Sequence, residues 1–317
     1  MHKITTRLAV GAVLAGVAFS AAARVPKDLP MPSGEPSADE LIRQVYFVNH
    51  FYALKNYSIQ DVDDEITVLI NRSEGDTPTT ITIERYLNND YPASDDINGQ
   101  DLAIFKSGKL RGTGLLITDY SDDGKSQAYS IWLPALRKIR RFAEPAQDDA
   151  YGGTDFTFGD VALRKPEHET HELQGKTTFE DCLGSMEIAE ADRNRYMQNL
   201  PQASCLHKGK EVYKLKSTTK FENWWYDYRI SYVDTKTYAD YRTEYFKGGN
   251  KVKVIDRDWV SLNQPDIRAQ SWRYWYGKKF DTGHETWAVI PDKVVKINDD
   301  SLKPSLWSES TLRKIKR

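Results

Sequence analysis

Apolar residues along this chain recur first at helical spacing and then at strand spacing. Leu41, Val45, Val48 and Tyr52 follow one another by three or four positions, and Ile42 and Phe51 widen the stripe. That period predicts an amphipathic helix over 38–53, and Ser37 followed by Glu40 supplies a capping box at its start. Beyond it the period falls to two. The stretch 64–71 alternates around Ile66, Val68 and Ile70, and 79–87 around Ile81 and Ile83. Further strands are predicted near 101–107, 110–119, 127–133 and 136–143, then over 211–219, 224–233, 238–247, 251–262, 269–276 and 284–290. Ser121-Asp122-Asp123-Gly124 reads as a hairpin turn, 88–101 as a polar loop and 144–155 as an exposed acidic, glycine-rich loop. A short helix is expected over 186–197. Short connections without βαβ alternation predict a mainly β (α+β) protein, an antiparallel sheet of ten or eleven strands with a few helices.

The first 23 residues stand apart from this pattern. Lys3 and Arg7 precede an apolar run from Leu8 to Phe19, and Ser20-Ala21-Ala22-Ala23 follows it. This is the form of a secretory signal, with cleavage expected after Ala23. The run is shorter than the roughly 20 residues of a membrane span. Residues 24–36 hold four prolines and one glycine, an extended leader ahead of a single domain over 37–317. Removing the signal takes the formal net charge from −2 to −4, which offers no general attraction to nucleic acid. Cys182 and Cys205, the only cysteines, are expected to pair in an exported chain. Closing a loop of about 24 residues would contribute ~3 kcal/mol in the chain-entropy picture.

Candidate chemistry is sparse. No GxSxG elbow, phosphate-binding loop or dinucleotide fingerprint occurs. Glu167-His168-Glu169-Thr170-His171-Glu172 is the one stretch resembling a metal site. It lacks HExxH spacing and reads as a solvated charged loop, so neither a metal nor another cofactor is expected. Among the carboxylates, Asp155 and Asp160 are the most suggestive, and a turn cap or an ion pair is the expected role of Asp155. No catalytic residue is expected.

Two features point to binding instead. In the basic run, strand alternation puts Arg137, Ile139 and Arg141 on one face and Lys138, Arg140 and Phe142 on the other. These cations either pair with Glu144, Asp148, Asp149 or Asp155, or sit at a cavity mouth and hold oxygens of a lipid head group. Residues 221–287 hold 17 of the 37 Phe, Trp and Tyr. Tyr226, Tyr228, Ile230 and Tyr232 are expected on one strand face, as are Trp272, Tyr274 and Tyr276. They serve either as ordinary sheet packing or as the wall of a wide apolar cavity.

Three motifs in order carry a resemblance: Gly112-Thr113-Gly114-Leu115-Leu116-Ile117, then Ser130 through Arg141 (SIWLPALRKIRR), then Gly153-Thr154-Asp155-Phe156-Thr157-Phe158-Gly159-Asp160. The chain resembles the outer-membrane lipoprotein-sorting proteins, relatives of the carrier LolA, most strongly over about 55 residues. The resemblance implies a curved antiparallel sheet forming an incomplete β-barrel plugged by helices, with an apolar interior that accepts acyl chains. It implies a periplasmic, non-catalytic carrier of lipid or lipoprotein acyl chains. The alternative it implies is an accessory subunit of an inner-membrane RND-type exporter that binds protein rather than lipid. On this reading Val45, Val48 and Tyr52 help plug the cavity, Trp132, Tyr228 and Tyr274 line it, and Arg137, Arg140 and Arg141 stand at its rim. Thr154 and Gly159 depart from the family pattern, and a cysteine-bearing insertion is expected near 166–210.

Overall fold

The computed structural model describes residues 24–92, 94–122, 125–142, 146–161 and 164–315. The predicted signal up to Ala23, Asp123 and Gly124 of the predicted turn, and Glu144 lie outside the described residues.

Helix α1 (Ala38–Asn49) begins at the predicted box. The Glu40 N–H donates to Ser37 Oγ (3.2 Å), and the Ser37 N–H donates to Glu40 Oε2 (2.8 Å). The helix stops four residues short of the predicted end. Phe51 takes a left-handed backbone (φ 55°), which ends the α-helical hydrogen bonding and turns Phe51 and Tyr52 into the core as a compact bend. Leu41, Val45 and Val48 are buried as the stripe requires, each contributing roughly 1.5–3 kcal/mol of apolar burial.

Fifteen strands follow: β1 (Asn56–Ile59), β2 (Thr67–Arg72), β3 (Thr79–Asn88), β4 (Ile97–Phe105), β5 (Gly114–Tyr120), β6 (Ala128–Leu133), β7 (Lys138–Phe142), β8 (Glu169–Thr178), β9 (Glu211–Thr219), β10 (Tyr228–Asp234), β11 (Asp240–Lys247), β12 (Asn250–Ser261), β13 (Gln270–Lys279), β14 (Glu285–Val289) and β15 (Val295–Ile297). The expected sheet of ten or eleven was too small: twelve of the strands answer to the twelve predicted segments, and β1, β8 and β15 were missed because β1 and β15 are very short and β8 is mostly polar. All fifteen belong to one sheet, in the order β7-β6-β5-β4-β3-β2-β14-β13-β12-β11-β10-β9-β8, with β1 bridging β3 and β15. The sheet is curved and unclosed. Its two edges, β7 and β8, are consecutive in the chain, so the segment joining them crosses from one rim to the other.

Register separates the two faces. Leu69, Ile81, Phe105, Leu115 and Ile131 fall on the inner face, under α1 and the β7–β8 segment. That segment, with the short helix α2 (Phe158–Val161), acts as a plug. Tyr151, Thr154, Asp155, Phe156 and Asp160 are buried, which corrects the expectation of an exposed loop for the end of 144–155, whereas Ala146, Asp148, Asp149, Ala150 and Gly153 are exposed as expected. Gly277 of β13 makes the approach possible, because a Cβ there would stand 2.9 Å from the Phe156 ring.

The outer face is covered in two places. Residues 179–207, stapled by the Cys182–Cys205 disulfide, lie over β12–β14. Gly184 packs on the Tyr276 ring, the Ser204 N–H donates to the Tyr274 hydroxyl (2.9 Å), and Arg72 donates to the Glu187 carbonyl (2.6 Å). The helix expected over 186–197 is a single 3₁₀ turn, Glu190–Asp192. At the other end, α3 (Glu309–Lys314) packs Leu312, with Trp307, against Leu102, Leu116, Trp132 and Ile139.

Candidate functional site

The inner face divides into a mainly apolar half and an ionic half. On β3–β7 the inward residues Ile81, Phe105, Leu115, Ile131 and Phe142 meet Tyr151 and Phe158 of the plug across a groove of about 750 Å³, and farther along the same face Arg85 of β3 pairs with Asp101 of β4 (2.6 Å). The rings seal its floor: Tyr151 contacts Phe158 edge-on (5.4 Å), Phe158 contacts Tyr129 (6.0 Å), and Tyr129 stacks on Phe142 (5.7 Å). A groove of this size and lining lies within the range of small-molecule sites. Lys109 and His284 stand among its lining residues. His284 Nδ1 lies 2.5 Å from Asp155 Oδ2, which also accepts from Thr286 Oγ1 (3.0 Å) and lies beside Lys279. Asp155 therefore clasps the plug to β13 through an ion pair with Lys279 and to the start of β14 through hydrogen bonds with His284 and Thr286, the ion pair being one of its two expected roles.

The other half, on β8–β12, is packed with charge. Asp160 of α2 accepts from Lys253 Nζ (2.6 Å), the Tyr245 hydroxyl (2.6 Å) and the Thr157 N–H (2.9 Å), with Arg164 at 3.4 Å. Burial alone would raise its carboxyl, but Lys253 and Arg164 hold it well below the usual carboxylate range. The same burial lowers Lys253, against the pull of Asp160. Arg229 grips Glu169 (2.7 Å) while the Tyr226 hydroxyl donates to it (2.9 Å). Burial opposes ionisation of Glu169, yet Arg229 brings it down to about 2. Arg257 pairs with Asp240 (2.7 Å), which also accepts from Asn49 of α1 (2.9 Å). Helix, plug and sheet are thereby joined by one ionic network.

The predicted site residues disperse around this arrangement. Val45 and Val48 are buried on α1, and Tyr52 lies beyond its end against Phe47. Arg137 belongs to the β6–β7 turn with a left-handed backbone (φ 48°), which corrects the strand expected from 136. Arg140 is exposed on the edge strand, in register with Ile131. Arg141 faces outward and pairs with Glu309 of α3, a carboxylate outside the four nearby ones expected. Trp132 packs under α3; Tyr228, stacked on Phe246 (4.9 Å), and Tyr274 also lie on the outer face. A bulge between Asp258 and Trp259 breaks the β13 register. It leaves Tyr274 and Tyr276 outside while turning Trp272 inward onto Phe51 (4.7 Å) and Trp275 (5.0 Å). The expected common face of these three aromatics therefore does not exist.

Glu167 to Glu172 is likewise not a solvated loop. It passes from a 3₁₀ turn into β8, with Glu169 buried on Arg229 and His171 bonded to Ser217 (2.9 Å) and the Pro166 carbonyl (2.9 Å). Among the described residues, no group of three or more His, Cys, Asp or Glu is placed to hold a metal ion. No helix there is long and apolar enough to cross a membrane.

This geometry defines a class: an open antiparallel half-barrel whose inner face is filled by a helix and a crossing segment. Solved structures share it. One is a domain from Vibrio parahaemolyticus described as outer-membrane lipoprotein-sorting (13% identity, TM-score 0.62, covering 87% of this chain and 98% of that one). Another is a DUF1329 family protein from Desulfovibrio piger (14%, 0.62, 88% and 100%). A third is a LolA superfamily protein from Nitrosomonas europaea (9%, 0.53, 87% and 100%). A family model whose description reads "Uncharacterized protein" matches residues 98–200. No curated protein matches the chain. The fold is LolA-like, as the motif triplet implied.

Proposed function

We propose that this protein is a periplasmic carrier that holds an acyl chain of a lipid or lipoprotein in the groove under the plug. The observation that carries the reading is the groove itself: about 750 Å³ of space between apolar strand residues and plug aromatics, on the face where the fold leaves its sheet open. Lys109 at the groove and the exposed Arg140 on the neighbouring edge strand supply cations for a head group. The ionic half is filled by its own side chains, so cargo is confined to the β3–β7 side. The predicted signal and the outward disulfide agree with an oxidising compartment. Mass spectrometry of lipid extracted from the purified protein, with uptake of a fluorescent fatty acid, tests the reading. Absence of bound lipid together with absence of uptake refutes it.

A second reading has its own observation. The β6–β7 turn and edge expose Leu136, Arg137, Lys138 and Arg140, a basic, partly apolar tip suited to an acidic protein surface. On that reading the protein is an accessory subunit of an RND-type exporter. Co-purification with such a transporter at no lipid stoichiometry, abolished by charge reversal at these three cations, favours it over the carrier.

A further inference from the structure

The buried ionic network does not balance. Within it, four cations, Arg164, Arg229, Lys253 and Arg257, and three carboxylates, Asp160, Glu169 and Asp240, are each at most 9% exposed. Three pairs account for Lys253–Asp160, Arg229–Glu169 and Arg257–Asp240. Arg164 is left to share Asp160 at 3.4 Å. Asp155, the next carboxylate on the plug, is engaged by Lys279 and His284. An uncompensated charge in a water-excluded interior costs several kcal/mol.

A small, partly open cavity lies where that excess falls. It holds about 20 Å³ between Val45 and Tyr46 of α1, Gly159, Asp160 and Arg164 of the plug, and Arg229, Asp240, Tyr245 and Arg257 of the sheet. The Nε atoms of both Arg164 and Arg257 are buried with no hydrogen-bond partner, although buried guanidinium donors are normally satisfied. The space accommodates one occupant of about water size. A water would satisfy donors but leave the charge, and a tetrahedral oxyanion is too large.

We propose that this cavity binds a single chloride ion, held by Arg164 and Arg257 and completing the contact of α1, plug and sheet. The ion balances the network, so chloride concentration sets how firmly the plug is held, whatever the groove carries. The loss of a proton from Lys253 is the competing route to neutrality, and it needs no anion.

The test uses the full mature chain. In crystals grown in sodium bromide, an anomalous peak is expected within hydrogen-bond reach of the Arg164 and Arg257 Nε atoms. In solution, Tm is expected to rise by roughly 3–5 °C per tenfold increase in chloride above saturation, and not in sodium gluconate of equal ionic strength. Arg164→Gln removes the excess cation and should abolish both the peak and the chloride dependence. If that variant fails to fold, the bromide diffraction of the unchanged protein decides alone. A cavity peak without anomalous signal, bromide confined to the surface, or equal Tm in the two salts overturns the proposal.

Discussion

Replacing Lys253 by Met is the sharpest probe of the ionic half. Lys253 is 1% exposed and its ammonium lies 2.6 Å from Asp160 Oδ2. Methionine keeps the length and apolar contacts of the stem while deleting the charge. Asp160 would then rely on Arg164 at 3.4 Å, the Tyr245 hydroxyl and the Thr157 N–H. Breaking one partner out of a buried pair costs about 3–5 kcal/mol, because the remaining charge stays desolvated. For a chain of this length each kcal/mol moves Tm by roughly 2–4 °C, so a fall on the order of 6–20 °C is expected in a thermal melt. Pairing Lys253→Met with Asp160→Asn removes both charges of the pair, so the double variant should lose less than the sum of the two single variants, the remaining loss coming from Arg164 left without Asp160. Urea titration of the single and double variants supplies the coupling energy. A single variant within 1 kcal/mol of wild type, or a double variant whose losses simply add, would refute an ion pair that fastens the plug.

Three further outcomes follow from the same geometry. Ile131→Trp places an indole in the groove, so fatty-acid uptake should fall at least tenfold while Tm changes little; unchanged uptake would move the site elsewhere. Glu169 titrates near 4.5 when unfolded and at about 2 when folded, so it binds fewer protons in the native state. Its stabilisation, on the order of 3 kcal/mol, is present above pH 4.5 and lost as pH falls toward 2, and Glu169→Gln should flatten that slope in acid unfolding followed by near-UV dichroism. The disulfide closes a separation of 23 residues on the outer face, so the Cys182→Ala, Cys205→Ala variant should lose about 3 kcal/mol in urea unfolding yet keep fatty-acid uptake.

Much of the architecture could be read from period, because strands such as β3 and β9 carry apolar residues two apart, Ile81 and Ile83 in one and Tyr213 and Leu215 in the other. Registers and faces were harder. Trp272, Tyr274 and Tyr276 keep a perfect period of two, yet one bulge sends the first inward and the others outward. No local signal marks it, since a bulge answers to the partner strand. The plug was misread for a different reason. Asp148, Asp149 and Gly153 are exposed as a solvated loop would be, but the segment has to connect the two rims of one open sheet, so Tyr151 and the residues from Thr154 onward cross its interior.

Lys253-Val254-Ile255-Asp256-Arg257-Asp258 did contain a usable clue to the site. Charges at consecutive positions of a strand place cations on one face and carboxylates on the other, and a strand so built is stable only if both faces meet partners. The two carboxylates turn outward to Arg242 and Arg273 beneath the disulfide segment. The two cations turn inward to Asp160 and Asp240. The ionic half is thereby closed on both sides, and the apolar strands β3–β7 are left as the part of the inner face where something other than the protein itself has room.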